Sequence, residues 1–333
     1  MKKYGLTTPE GTRDLLFGEC TARRDIETKL TRLFKNHGFS EVITPFLEFY
    51  DLFDSSRRYF PQENMYKLTD AKGRLMVIRP DSTIPIIRLA ETRLKDEPRP
   101  LKLCYCQTIY RVNPKEAGRD DEIAQCGIEI IIGGEGGEGG EGGYGESEAL
   151  ELAVKALELV GGGEVRFEIG HCGFFEQLAR DNKINETEVD EIRRLVETKN
   201  YPELLAAGVP PDLRELPKLF GGEETFGKAE KLFGDKEMKK RLNSLKSAYD
   251  NLRRIAGGDK ITVDLGLTNK RGYYIGTLFN GYTEGFGKPV LSGGVYKVNN
   301  TAAIGFAVNV SAAAANKGRL LSENIASGDA YAE

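Results

Sequence analysis

The spacing of apolar residues changes several times along the chain, and each change marks an element. Over residues 20–37 they fall at Ile26, Leu30, Leu33 and Phe34, the spacing of one helical face, with Gly38 behind them as a helix stop. Residues 39–48, FSEVITPFLE, read as a strand broken by Pro45. Proline has no N–H for a central ladder, so this piece belongs at an edge, a bend or an interface. A short strand at 74–79 leads into a turn, Pro80-Asp81-Ser82-Thr83, that opens a helix reaching Arg93. Residues 102–111, KLCYCQTIYR, and 121–133, DEIAQCGIEIIIG, pair as a hairpin.

Past that hairpin, residues 133–145 are almost entirely glycine and glutamate, a composition that cannot bury apolar surface and predicts a flexible loop. Its acidic groups would repel phosphate, so it is no phosphate cradle. A helix at 147–160 and a strand at 165–171 follow, and residues 172–256 read as helices with charged, solvated faces. Strand spacing returns at 261–267, 273–282, 289–298 and 302–310. Strands therefore fall in two blocks around a helical insertion, without the strand–helix alternation of a parallel sheet. The pattern predicts an α+β fold, one large antiparallel sheet built from both blocks and flanked by helices. Residues 1–312 form the core, and 313–333 are a small polar tail.

Composition narrows the function. The chain has 333 residues, 29% charged and 40% hydrophobic, with net charge −4. These are values of a soluble protein without whole-molecule attraction to nucleic acid. No apolar run is long enough to span a bilayer, and the N-terminus lacks an apolar signal core, so the expected location is cytoplasmic, away from membranes. Five cysteines, among them Cys104 and Cys106, lack the companions of a metal set and are expected to be reduced structural thiols. Only two histidines occur, His37 and His171, far apart in sequence, so neither a metal site nor a Ser-His-Asp triad is expected.

The hairpin carries the candidate chemistry. Side chains alternate across a strand, so Gln125, Gly127 and Glu129 share a face, as do Leu103, Tyr105, Gln107, Ile109 and Arg111. The glycine leaves room beside its neighbours. If the register brings Arg111 to the same side, one cation, one amide and one anion surround a space that fits a zwitterion. The plain alternative is an exposed Arg/Glu cross-strand pair with no ligand. Asp81, Ser82 and Thr83 add oxygen atoms at a helix start, and Tyr273 and Tyr274 are expected to point to opposite faces of a later strand. Two glycines before Tyr296 permit close approach.

Seven ordered segments extend the picture: LTTPEGTRDLL, GFSEVITPFLE, VIRPDSTIPIIRLA, TIYRVNP with DEIAQCGIEIIIG, RGYYIGTLF, LSGGVY and AAIGFAVNV. Together they resemble the class II core of histidyl-tRNA synthetases over residues 5–312. That resemblance implies a histidine half-site made of Asp81, which receives the ligand ammonium, and Thr83, Gln125 and Glu129, with Tyr273, Tyr274 and Tyr296 as tyrosine walls. Arg111 would lie between the histidine and ATP half-sites.

The ATP half-site departs from the synthetase pattern. Arg111-Val112-Asn113 stands where the family has Arg-x-Glu, and Asn269 where it has a catalytic arginine, with Arg271 two residues on. No arginine follows AAIGFAVNV until Arg319. Losing one donor to a developing phosphate charge costs about 3–4 kcal/mol, so adenylate formation is not expected. An anticodon-binding domain is not expected either, and with it no tRNA partner. This combination resembles the regulatory subunits of ATP phosphoribosyltransferases, synthetase-like proteins without catalysis of their own. The resemblance implies free L-histidine as ligand, no cofactor or metal, and a hetero-oligomer with the short-form catalytic subunit, commonly four of each chain. It also implies a role in the first step of histidine biosynthesis and its feedback inhibition. A homodimer through residues 39–48 is expected, against the monomer that a merely protected edge strand would give. The competing reading is a truncated synthetase paralogue that activates an amino acid with ATP.

Overall fold

A computed structural model of the chain describes residues 4–54, 60–112, 120–133, 144–161, 163–268 and 272–315. Its first half contains α1 (Phe17–Asn36), β1 (Ser40–Glu41), β2 (Leu47–Phe49), α2 (Asp51–Asp54), β3 (Lys67–Thr69), β4 (Leu75–Ile78), α3 (Thr83–Thr92), β5 (Leu101–Tyr110), β6 (Glu122–Gly133) and α4 (Glu146–Gly161). Then come β7 (Val165–His171), α5 (Gly173–Asp181), α6 (Glu186–Glu197), α7 (Tyr201–Ala206), α8 (Pro211–Glu215), β8 (Phe220–Gly221), α9 (Glu224–Leu232) and α10 (Lys236–Ala256). The chain closes with β9 (Ile261–Asp264), β10 (Tyr274–Thr283), β11 (Leu291–Val298) and β12 (Thr301–Asn309).

Nine strands form one sheet in the order β1-β5-β6-β12-β11-β10-β7-β9-β8. Both sequence blocks contribute, as expected, and the ladder is antiparallel except at β1–β5 and β7–β9. The period-two alternation is visible on β6. Cys126, Ile128 and Ile130 face a core closed by Ile26, Leu30 and Phe34 of α1, Leu150 and Leu157 of α4, and Leu245 and Leu252 of α10. The opposite face, carrying Leu103, Tyr105 and Ile131, packs on Ile84, Ile86 and Ile87 of α3 and on Phe53 and Phe60. Each aliphatic side chain buried this way contributes about 1.5–3 kcal/mol.

One expectation needs correcting. The strand at 74–79 does not join the large sheet; as β4 it pairs with β2 and β3 in a separate three-stranded sheet. Pro45 is the reason. After Val42 donates to the Cys104 carbonyl at 2.9 Å the chain leaves the β5 edge. The freed carbonyls of Thr44 and Pro45 accept from Nη1 of the buried Arg79 at 2.8 and 3.1 Å, and its Nη2 reaches the Thr108 carbonyl at 2.7 Å. A guanidinium thus replaces ladder hydrogen bonds and joins the two sheets. The region between β7 and β9 is mainly helical, but also contains the two-residue strand β8, which the pattern did not reveal. Of the loop expected at 133–145 and the tail expected at 313–333, residues 134–143 and 316–333 lie outside the described residues.

Candidate functional site

On the α3 side of the large sheet lies a cavity of about 390 Å³. Asp81, Thr83, Arg111, Gln125, Glu129, Tyr273, Tyr274 and Tyr296 all line it, so all eight residues singled out in the sequence meet in one place. The volume is within the range of small-molecule sites.

Asp81 sits two residues before the first residue of α3, next to the N-cap Ser82. Its Oδ1 accepts from the backbone N–H of Thr83 at 2.8 Å and of Ile84 at 3.3 Å, satisfying two donors that the first turn of α3 leaves open. Its Oδ2 accepts from Nη2 of Arg111 at 3.2 Å, while Nε of Arg111 donates to the Pro80 carbonyl at 2.7 Å. Arg111 extends beyond the end of β5, held there by its own N–H on the Asp121 carbonyl at 2.9 Å. The guanidinium is therefore pre-oriented at the cavity wall rather than swinging in solvent, and the plain solvent-pair alternative does not describe it.

Glu129 is the buried anion, only 2% exposed. Its Oε1 accepts from the Thr83 hydroxyl at 2.9 Å and its Oε2 from the Tyr296 hydroxyl at 2.7 Å. Burial, reinforced by the Glu129 charge and hydrogen bond, pushes the Tyr296 phenol well above its ordinary range, so it remains a donor. The two hydroxyls orient the carboxylate.

The tyrosines differ from expectation. Tyr273 precedes β10 rather than lying on it, so strand alternation does not separate it from Tyr274. Both face the cavity, their ring centroids 4.9 Å apart. Tyr274 is the cross-strand partner of Tyr296, and the Tyr273 and Tyr296 rings are 5.7 Å apart, edge to face. The space expected beside Gly127 is also taken. A Cβ there would come within 2.6 Å of the Tyr105 hydroxyl, because Tyr105 stands directly opposite and lays its ring over the glycine. Tyr105 is thus a lining residue that sequence reasoning missed, because its pairing with Gly127 is set by the hairpin register.

The far end of the cavity is lined by Asn280, Ser292 and Asn309, and one rim by Glu197, Leu267 and Thr268. Among the described residues, Arg111 is the only cation in the lining. Asn113, Asn269 and Arg271, on which the reading of the ATP half-site turned, lie outside the described residues.

A family model described as histidyl-tRNA synthetase matches residues 11–313. An ATP phosphoribosyltransferase regulatory subunit from Clostridium acetobutylicum is 37% identical, covering 99% of this chain and 83% of its own. One from Clostridium kluyveri is 37% identical over 91% and 80%. The chain belongs to the ATP phosphoribosyltransferase regulatory-subunit family. A solved structure described as an ATP phosphoribosyltransferase regulatory subunit/histidyl-tRNA synthetase, from Bacillus halodurans C, superposes with a TM-score of 0.81 at 29% identity. It covers 94% of this chain and 83% of that one. A histidyl-tRNA synthetase from Nostoc sp. shares the fold, with a TM-score of 0.73 at 18% identity over 98% of this chain and 77% of its own. In the regulatory-subunit family the names describe regulatory, not catalytic, chains, in agreement with the expectation of a non-enzymatic role. Among the described residues no helix is long and apolar enough to cross a membrane, and no group of His, Cys, Asp or Glu could hold a metal ion.

Proposed function

We propose that this chain is the non-catalytic, histidine-sensing subunit of an ATP phosphoribosyltransferase, and that the cavity binds free L-histidine. The observation that carries this reading is the arrangement of Arg111, Gln125 and Glu129 in one tyrosine-walled cavity, a cation, an amide and a buried anion around one space. Asp81 and the Arg111 guanidinium address the charged ends of an amino acid, and Glu129, held by Thr83 and Tyr296, offers an oriented acceptor to an imidazole N–H. Bound histidine favours one arrangement of this subunit and alters its contacts with a short-form catalytic subunit, four of each chain in the assembly. That supports the first step of histidine biosynthesis and conveys its feedback inhibition. The achievable effect equals the difference in histidine affinity between the two arrangements, commonly about 1–3 kcal/mol.

The assembly is built on a homodimer. Ile43, Phe46, Phe49 and Leu75 are exposed on and beside the small sheet, an apolar group fit for a second copy. Neither ATP nor tRNA is a ligand in this reading.

Calorimetric titration with L-histidine is the direct test. Binding by the wild type, lost in Glu129→Ala, supports the assignment; unchanged affinity in that variant rejects it. Histidine-dependent ATP–pyrophosphate exchange would instead favour the truncated synthetase.

A further inference from the structure

One wall of the cavity comes from outside the sheet. Glu197 is the last residue of α6, while Leu267 and Thr268 follow β9, and all three line the cavity. The hydroxyl of the buried Thr268 donates to Oε1 of Glu197 at 2.7 Å. Two more contacts tie the same segment to the helical region. Lys199 Nζ meets Oδ2 of Asp264 at 2.5 Å, and the N–H of Leu265 donates to the Leu219 carbonyl at 3.0 Å. Packing closes the segment on both sides. A Cβ at Gly266 would lie 3.0 Å from Cα of Pro217, and one at Gly170 of β7 would lie 2.8 Å from Cβ of Leu267. Residues 264–268 therefore form a rim suspended from residues 197–219 and pressed against the sheet.

We propose that Glu197 is a positioning residue of this cavity, and that through it the helical region between β7 and β9 responds to whether the cavity is filled. The proposal rests on the reading that the cavity takes histidine. A close-packed rim cannot deform locally without disturbing its neighbours. While the Thr268 hydroxyl is held by Glu197, the position of the rim and the end of α6 are one variable. A ligand seated against Leu267 and Thr268 holds best in one rim position, and so selects one placement of α6. Cutting the bond removes the tie that lies at the cavity itself, leaves the rim held only by the contacts of Asp264, Leu265 and Gly266, and takes from the buried Thr268 hydroxyl its acceptor.

L-histidine titrations of Glu197→Met, Thr268→Val and their double variant test the link. Each single change should weaken binding about fivefold, and the double variant should be no worse than either single one, because one bond has been removed twice. Thr268→Ser and Glu197→Gln keep donor and acceptor and should stay within about twofold of the wild type. Additive losses, or a loss in Glu197→Gln as large as in Glu197→Met, overturn the positioning role. A wild type that binds no histidine overturns the functional reading instead. The link is then decided by amide hydrogen exchange on the free protein: Glu197→Met should speed exchange at 264–268, and unchanged exchange there refutes it.

Discussion

Gly305 of β12 stands directly opposite Glu129 of β6, and a Cβ at Gly305 would collide with Oε2 of that glutamate and with the Ile128 carbonyl. The glycine is there because the carboxylate lies flat across the neighbouring strand on its way to Tyr296. Gly305→Ala should displace Glu129, cost about 1–3 kcal/mol of stability through overpacking, and abolish high-affinity histidine binding. Thermal unfolding and calorimetry measure the two effects. A variant that keeps wild-type histidine affinity would show that Glu129 need not occupy its observed position.

Tyr296→Phe removes a donor to Glu129 while keeping the ring that packs on Tyr273. Weakening the hydrogen bonding of a buried carboxylate costs about 1–3 kcal/mol. Lower histidine affinity and a lower unfolding temperature are expected, checked by the same two methods.

Asp81 serves both helix and cavity, and two substitutions separate the roles. Asp81→Asn keeps a side-chain oxygen for the N–H groups of Thr83 and Ile84 but removes the charge facing Arg111. It should retain most of the stability and lose histidine affinity. Asp81→Ala should lose both, with a helix-cap penalty of about 1 kcal/mol in addition. Equal melting temperatures for the two variants would contradict the capping role.

His171 supplies a pH dependence. It is fully buried at the end of β7, and burial, with Arg241 nearby, pulls its pKa from 6.5 down to about 3. Between these values the unfolded chain takes up a proton that the folded protein refuses. The contribution is complete above pH 6.5 and lost as pH falls toward 3, at about 1.4 kcal/mol per pH unit. Denaturant unfolding of His171→Gln across this range should show a shallower loss of stability on acidification than the wild type. Parallel curves would mean that the folded imidazole titrates normally.

Phe46 is 46% exposed and packs edge to face on Tyr110 with ring centroids 5.2 Å apart. If this face joins two copies, Phe46→Glu should convert a dimer to a monomer in light scattering. A wild type that is already monomeric rejects the homodimer.

Much of this molecule was readable in one dimension. Alternation on β6 placed Gln125 and Glu129 together on one face and Cys126, Ile128 and Ile130 on the other, because side-chain direction along a strand depends only on parity. The helix read over 20–37, observed at Phe17–Asn36, and the break at Pro45 were equally local. Tyr273 was misjudged because parity holds only within a strand, and β10 starts one residue later. Tyr105 was overlooked because filling the space above Gly127 depends on cross-strand register, and Gly305 because its constraint is set by a residue on a neighbouring strand far away in sequence.

The sequence by itself determined the two strand blocks, the helices between them, the face on which the hairpin presents its polar groups and, through its motifs, the family. Only the tertiary structure decided that Asp81 turns to Arg111, that Thr83 and Tyr296 share Glu129, and that Glu197 of a distant helix borders the same cavity. The physical reason is range. Periodicity and turn chemistry act over a few residues, whereas these contacts join groups 30 to 167 positions apart, and close packing of the whole core fixes which of them meet.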